Sequence, residues 1–325
     1  MQLALNDIFL DLFDNHPKFQ ASGSLTEVID LERNPGKLRM YKYVPTPAPT
    51  SEAPLVVVLH GCMQSAQEIA NSGGWNQLAD RFGFYVLYPE QQLKNNSIGA
   101  FHWFKDEHIR AGKGECGSIK EMVDRMKVDY RIDSRKVFVT GLSAGGCFTT
   151  VMCCAYPELF ASGAVMSGIA YRAADSNHAL KVMFQGKSRK PEEWARLVSE
   201  THPGYSGSYP KMLVFHGTRD IMVNPNNMQS IVAQFTALHQ TSQTPDIVDT
   251  VNGFPHKIYH DKNGRPVVET FEITGMAHGI AINPGTGVDQ GGHQDNFAFP
   301  VGIFSSFFAL QSWGIIPPCQ KSQVL

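Results

Sequence analysis

Short apolar runs alternate with helical segments along most of the chain. Residues 55–59 form an uninterrupted, β-branched run, which is typical of a strand buried on both faces of a sheet. Residues 118–130 place their apolar side chains at 119, 122, 123 and 126, which share one face of a helix. The same patterns predict further strands at 38–44, 84–88, 136–140, 161–166, 212–215 and 267–273, and further helices at 67–82, 144–155, 225–238 and 299–313.

This alternation predicts an α/β fold: a mainly parallel sheet flanked by helices on both sides. The sequence contains no internal repeat and no linker that would separate two domains, so we expect a single domain over residues 1–325. Residues 1–50 would supply an N-terminal extension and the first strands. Residues 170–208 interrupt the rhythm of strands and contain Trp194, two prolines and several glycines, which predicts a lid over the site.

Composition and charge exclude several classes of protein. Apolar residues make up 42% of the 325 residues and charged residues 18%, the balance of a globular protein with a large core. No segment approaches the roughly 18 apolar residues of a membrane span. The net charge is −2 and the basic residues form no stripe, which argues against nucleic acid as a partner. A neutral, polymeric or oligomeric substrate fits this balance, whereas the oligomeric state has no signal in the sequence.

Neither a metal nor a cofactor is predicted. The sequence has no HExxH, P-loop or calcium-loop pattern. Residues 112–117 fit GxGxxG, the pattern of a dinucleotide-binding loop. A charged segment that is not typical of a strand precedes them, however, and Glu115 would face the phosphates of the dinucleotide, so this pattern does not predict a dinucleotide site. The six cysteines, at positions 62, 116, 147, 153, 154 and 319, show no CxxC spacing, and their even number permits disulfides without requiring them.

The first residues lack a basic region, so no signal peptide is predicted. We therefore expect a cytoplasmic protein, or the processed form of a secreted one.

The segment Gly141-Leu142-Ser143-Ala144-Gly145 follows a predicted strand and opens a predicted helix. A sharp turn between strand and helix pushes a serine outward and crowds its neighbours, which explains the flanking glycines. Ser143 is therefore the candidate nucleophile. The alternative is a serine that only caps a helix.

A serine hydroxyl needs a base, and that base needs an acid to orient it. In this kind of fold the order along the chain is serine, acid, histidine, with each residue just past the end of a strand. Asp220 follows the strand at 212–215, and His278 follows the strand at 267–273 between two glycines. His293 also follows that strand and is the rival base. The alternative for Asp220 is that it only caps the helix that begins near Pro225.

Attack on an ester carbonyl develops negative charge on its oxygen, which two backbone N–H groups can stabilise. One is expected from Ala144, the residue after the nucleophile, and the other from Cys62 in the loop that follows the strand at 55–59. The Cys62 thiol would then be incidental. His60 and His216 follow strands directly, and we expect them to pack or hydrogen-bond beneath the site.

Several segments together resemble the esterases grouped with poly(3-hydroxybutyrate) depolymerases, which also include feruloyl and acetylxylan esterases. The matching segments are residues 59–64, 141–146, 156–160, 216–220 with Val223, 275–279 and 313–314. The resemblance implies an α/β-hydrolase fold, with Ser143, Asp220 and His278 as a triad and Cys62 and Ala144 as the oxyanion hole. It also implies that Trp103 lines the substrate cleft, although an ordinary core position is equally compatible with its aromatic surroundings.

The resemblance implies a serine carboxylic-ester hydrolase that works through an acyl-enzyme. A poly(3-hydroxybutyrate) or hydroxyalkanoate depolymerase, or an oligomer esterase, is the leading expectation. Feruloyl or acetylxylan esterase is the alternative, followed by a peptidase or a catalytically silent binding protein. Secreted depolymerases of this group usually carry a linker and a polymer-binding domain, and this sequence shows neither. Amorphous polymer, soluble oligomers and small esters are therefore expected rather than crystalline polymer.

Overall fold

Ten strands pair into one sheet in the computed structural model, which describes residues 23–316. The first half of the chain supplies β1 (Thr26–Val28), β2 (Arg39–Tyr43), β3 (Ala53–Leu59), α1 (Ala66–Ser72), α2 (Trp75–Phe82), β4 (Tyr85–Glu90), α3 (Gly114–Asp129), β5 (Ile132–Leu142), α4 (Ala144–Ala155) and β6 (Ser162–Met166). The second half supplies α5 (Ala179–Gln185), α6 (Pro191–Ser199), β7 (Lys211–Gly217), α7 (Asn226–Leu238), β8 (Ile247–Val251), β9 (Phe254–His260), β10 (Pro266–Ile273), β11 (Ile280–Ile282), β12 (Ala298–Pro300) and α8 (Ser305–Ser312). The N-terminal segment, for which no signal peptide is predicted, lies outside the described residues, and so does Cys319.

The centre of the sheet is parallel, as the alternation of strands and helices predicts. The order is β1-β2-β4-β3-β5-β6-β7-β10-β9-β8. All pairs from β4 to β10 are parallel, and both ends of the sheet are antiparallel. The carboxyl ends of β3, β5, β7 and β10 therefore meet along one edge, which is where such a sheet presents its reactive side chains.

The β-branched run of β3 contributes to two cores, one on each face of the sheet. Leu55, Val57 and Leu59 pack into the core that holds α3, α4, α6 and α7. Val56 and Val58 pack into the other core, under α1, α2 and α8. Successive side chains of a strand point to opposite faces, so an uninterrupted apolar run is the expected sequence of a strand covered on both sides.

The helix predicted at 67–82 is two helices, because the chain turns at Gly73 and Gly74. Gly74 has a φ of 64°, a left-handed conformation that interrupts a helix. A Cβ on Gly74 would also lie 2.8 Å from the backbone nitrogen of Gly292. The glycine pair thus allows a distant loop to approach the break.

The C-terminal part of the sequence prediction is wrong in two respects. The helix predicted at 299–313 begins only at Ser305, because residues 298–300 form β12 and Gly302 has a φ of 84°. The strand at 267–273 is not the last one, since the short strands β11 and β12 pair with each other beyond it. Strands of three residues leave too little periodicity to be recognised in a sequence.

Residues 170–208 contain α5 and α6, and both helices pack against α7. Trp194 on α6 is fully buried, so this segment is attached to the main core. Its function as a lid stays a prediction.

Within residues 23–316, no helix combines the length and the apolar character needed to cross a bilayer. The cysteines at positions 62, 116, 147, 153 and 154 are free thiols.

One buried histidine near the sheet edge predicts a pH-dependent stability. Nδ1 of His256 lies 2.7 Å from Oδ1 of Asp249, and Nε2 lies 3.0 Å from Oε1 of Glu269. Burial opposes the charged ring, but the hydrogen bonds to the two carboxylates outweigh it and raise the pKa of His256. Its stabilising contribution is therefore complete below the unfolded-state pKa of about 6.5 and is lost as the pH rises through the folded-state pKa.

We expect the difference in unfolding free energy between the wild type and His256→Gln to shrink from pH 6 to pH 8.5 in urea titrations. His239→Gln is a control for which this difference should change with pH in the opposite direction, because burial lowers the pKa of His239. A difference for His256→Gln that stays constant with pH would contradict the prediction.

Candidate active site

Ser143 lies in a strained turn between β5 and α4. Its φ of 56° and ψ of −117° are unfavourable for a residue with a side chain. Its backbone N–H donates to the carbonyl oxygen of Met166 at 2.9 Å, and its carbonyl oxygen accepts the backbone N–H of Cys147 at 2.8 Å. These two bonds hold the turn from both sides. The side chain makes no capping hydrogen bond to α4, so the alternative of a simple helix cap is not what the structure shows.

The glycines around this serine are required by close backbone contacts. A Cβ on Gly145 would lie 2.2 Å from the oxygen of Leu59, far inside contact distance. A Cβ on Gly141 would lie 2.5 Å from the Gly145 backbone, and one on Gly146 would lie 2.8 Å from the oxygen of Met166. The turn therefore packs directly against the end of β3, where the Cys62 loop begins.

Asp220 and His278 form a buried pair. Nδ1 of His278 lies 2.7 Å from Oδ2 of Asp220, and both residues are at most 5% exposed. They meet because β7 and β10 are parallel neighbours and because Gly217 has no side chain, since a Cβ there would lie 2.3 Å from the oxygen of Met276. The pair has the arrangement in which a carboxylate orients an imidazole.

The Asp220 carboxylate is surrounded by donors. Its Oδ1 accepts the backbone N–H groups of Met222 at 3.0 Å and Val223 at 2.8 Å. Nε2 of His216 lies 3.3 Å from its Oδ2. Burial alone would raise the pKa of Asp220, but the hydrogen bonds from His216 and His278 outweigh burial and hold the pKa well below its usual range. The carboxylate is thus ionised and positioned, and it does not cap α7, whose N-cap is Pro225.

His216 is the histidine beneath this pair, as the sequence predicts. It is 1% exposed, and its Nε2 donates to the carbonyl oxygen of Val223 at 2.8 Å. It therefore supports the loop that carries Asp220.

A narrow cleft opens over Ser143 and His278. Its other lining residues are Gly61, Cys62, Gln64, Leu142, Met222 and Phe297. The Phe297 ring stands edge-on to His278 at 6.0 Å between ring centroids. His293 is not among the described residues that line the cleft; its backbone N–H donates to Ser72 at 3.1 Å. Of the two candidate bases, only His278 shares a cleft with the serine.

The two predicted oxyanion donors are the backbone N–H of Ala144, the residue after Ser143, and that of Cys62, which lines the cleft. Ala144 is the first residue of α4, so its N–H has no acceptor within the helix and lies at the positive end of the helix dipole. The N–H of Cys62 has no hydrogen-bond acceptor within the described part of the chain. Burial raises the pKa of the Cys62 thiol to about 12, so this side chain is a neutral thiol and not a thiolate nucleophile.

Comparison with known proteins identifies the family. The sequence profile described as "Esterase PHB depolymerase" matches residues 38–245. Poly(3-hydroxyalkanoate) depolymerase C of Paucimonas lemoignei is 46% identical over 294 residues, which are 90% of this chain and 70% of that protein. The chain belongs to the PHB depolymerase family of esterases. This esterase is also 31% identical to feruloyl esterase B of Talaromyces funiculosus, over 79% of this chain and 73% of that protein.

A solved structure confirms the α/β-hydrolase fold of this esterase. Acetyl xylan esterase from Aspergillus awamori superposes with a TM-score of 0.72 at 30% identity, covering 79% of this chain and 94% of the other. The family and the fold together make this protein a hydrolase of carboxylic esters.

Trp103 is in the core, 8% exposed, and packs edge-on against Phe104 at 5.3 Å between ring centroids. It is not among the described residues that line the serine cleft of this esterase. Its substrate contact stays a prediction.

Sequence reasoning missed Gln64, Met222 and Phe297 as parts of the cleft. Gln64 and Met222 each lie within two residues of a predicted site residue, and this proximity is the signal that could have found them. Phe297 comes from a distant loop that only the fold brings to His278.

Proposed function

We propose that this esterase is a serine hydrolase of hydroxyalkanoate esters that works through an acyl-enzyme. The observation that carries the proposal is the 2.7 Å contact between Asp220 and His278, whose imidazole opens on the same cleft as Ser143. His278 takes the proton of Ser143, and the hydroxyl attacks a neutral ester carbonyl. Asp220 stabilises the imidazolium that forms, which then protonates the leaving alcohol.

The negative charge on the carbonyl oxygen is stabilised by the N–H groups of Cys62 and Ala144. The loss of one such donor typically costs about 3 kcal/mol in the transition state. Water then attacks the acyl-enzyme with His278 again as the base, and the carboxylic acid leaves. No residue in this sequence of steps requires a metal or a cofactor.

The substrate class is proposed from the relative with 46% identity, a poly(3-hydroxyalkanoate) depolymerase. A neutral polyester or its oligomers match a cleft whose described lining residues include no aspartate, glutamate, lysine or arginine. An acetylxylan or feruloyl ester is the second candidate, because relatives with both names match at 31–33% identity.

A substrate panel tests the proposal. We expect the purified protein to release acid from amorphous poly(3-hydroxybutyrate) and hydroxybutyrate oligomers faster than from acetylated xylan, feruloylated arabinoxylan or peptides, as measured by chromatography of the products. A fluorophosphonate probe should label Ser143 in the same preparation. Faster release from a polysaccharide ester would overturn the substrate assignment, and failure of labelling would overturn the serine mechanism.

A further inference from the structure

A buried histidine outside the proposed triad contacts residues 61–64, the loop that carries Cys62 and is called the oxyanion loop below. His60 directly follows β3 and is 0% exposed, with its ring 4.9 Å from that of Phe101 between centroids. Both ring nitrogens have backbone partners: Nδ1 lies 2.7 Å from the oxygen of Gly61, and Nε2 lies 3.0 Å from the nitrogen of Gln91. Since neither nitrogen is open to solvent, the ring has no proton-transfer partner in the cleft.

These two contacts determine the tautomer of His60. The backbone N–H of Gln91 can only donate, so Nε2 has to accept and carries no proton. The proton is therefore on Nδ1, which donates to the carbonyl oxygen of Gly61. Burial lowers the pKa of His60 to about 4, so the ring remains neutral at the pH at which a triad histidine acts as a base.

The Gly61 oxygen and the Cys62 N–H belong to the same peptide group. That peptide is planar and trans, so the two groups point in opposite directions, and fixing the oxygen also fixes the direction of the N–H. The oxygen accepts a second bond from the Gln64 nitrogen at 3.3 Å, while Oε1 of Gln64 accepts the Gly61 N–H at 2.9 Å. The Met63 N–H is held by Ile98 at 2.9 Å. Of the four N–H groups from Gly61 to Gln64, only that of Cys62 remains open within residues 23–316.

We propose that His60 is a positioning residue of the oxyanion hole, and that its Nδ1–H, donated to the Gly61 oxygen, aims and polarises the Cys62 N–H toward the substrate carbonyl oxygen. Hydrogen bonds in series strengthen one another in a low-dielectric interior, so a peptide that accepts at its oxygen donates better at its nitrogen. The inference deepens the proposed function, because it rests on Cys62 as an oxyanion donor.

The partner of His60 is itself anchored. Nε2 of Gln91 donates to Oε1 of Glu115 at 2.5 Å, and Oε2 of Glu115 accepts the backbone N–H of His102 at 2.7 Å. Glu115 is 0% exposed and is the acidic residue of the GxGxxG segment, so that segment directs its carboxylate into the protein. A continuous set of buried hydrogen bonds thus runs from α3 through Gln91 and His60 to the oxyanion loop.

Two substitutions separate the functions of the two ring nitrogens. The side-chain amide of asparagine can place an N–H near the position of Nδ1, so His60→Asn retains the donor to Gly61. Glutamine reaches the position of Nε2, so His60→Gln retains the acceptor for Gln91 and loses that donor. We expect His60→Gln to lower kcat on p-nitrophenyl butyrate about 10- to 100-fold with little change in KM, because the oxyanion contact forms only in the transition state. We expect His60→Asn to retain kcat within about fivefold.

The affinity for a trifluoromethyl ketone inhibitor, which forms an oxyanion on the serine, should fall in His60→Gln by the same factor as kcat/KM. A purely structural role would lower the melting temperature and kcat of both variants alike. Wild-type kcat in folded His60→Gln, or equal losses in the two variants, would overturn the inference. If His60→Gln does not fold, a folded His60→Asn that loses more than about 30-fold in kcat overturns it.

Labelling of Ser143 by a fluorophosphonate separates this inference from the proposed function. If the wild type is labelled and His60→Gln remains fully active, only the role of His60 fails. If the wild type is not labelled, the serine mechanism itself fails.

Discussion

Ser143→Ala should lower kcat/KM for p-nitrophenyl butyrate by at least about 10⁴-fold while the protein stays folded. The change removes the attacking oxygen, so no acyl-enzyme can form, and only the positioning and oxyanion contributions to catalysis remain. The substitution deletes one atom, and Ser143 makes no side-chain hydrogen bond to α4 that would be lost with it. Circular dichroism and the melting temperature should therefore remain close to those of the wild type.

Ser167 is the matched control for this variant. It also follows a parallel strand, β6, and also has a positive φ, 50°, but it is buried and is not among the described residues that line the cleft. Ser167→Ala should retain kcat/KM within about threefold. This result would show that the loss in Ser143→Ala is specific to Ser143 and does not follow from removing any serine with a positive φ at this sheet edge. Equal activity of Ser143→Ala and the wild type would refute the assignment of the nucleophile.

His278→Ala should lower kcat/KM by about 10⁴-fold, whereas His293→Ala should change it by less than about fivefold. His278 is paired with Asp220 at 2.7 Å and opens on the serine cleft. The backbone of His293 is instead bound to Ser72, at the end of α1. The measurement is the hydrolysis rate of the same ester for the three proteins between pH 6 and pH 9.

Chemical rescue provides a second check on the base. Added imidazole should restore part of the rate only in His278→Ala, because it can occupy the space that the ring leaves. The assignment fails if His293→Ala is the variant that loses activity and responds to imidazole.

Much of the fold could be predicted because its central strands are apolar without interruption. A run such as 55–59 has to be covered on both faces, and this requirement alone indicates a parallel sheet between two layers of helices. The corrections concern places where a few backbone torsions decide the outcome, such as the turn at Gly74 and the late start of the helix at Ser305. Apolar periodicity carries no information about a single left-handed residue.

Sequence alone also determined Ser143 as the candidate nucleophile, because a serine between glycines at a strand-to-helix junction has a local geometry that its neighbours enforce. The order along the chain narrowed the acid and the base to Asp220 with His278 or His293. It favoured His278, which lies closer to the end of β10 and between glycines, and left His293 as the rival because it also follows β10. Only the tertiary structure decided which of them meets Asp220, because that contact depends on the pairing of β7 with β10 and on the missing side chain at Gly217.

The role of His60 depends even more on the tertiary structure. Its position after β3 predicts a buried residue near the site, and the structure confirms that burial. Its partners Gly61 and Gln91 are contributed by two different loops, and the tautomer follows only from both contacts together. Local sequence thus determined which residues have the chemistry of an ester hydrolase, because strand, turn and helix are short-range structures. The pairing of strands decided which of these residues meet, because hydrogen-bond partners distant in sequence come together only in the folded chain.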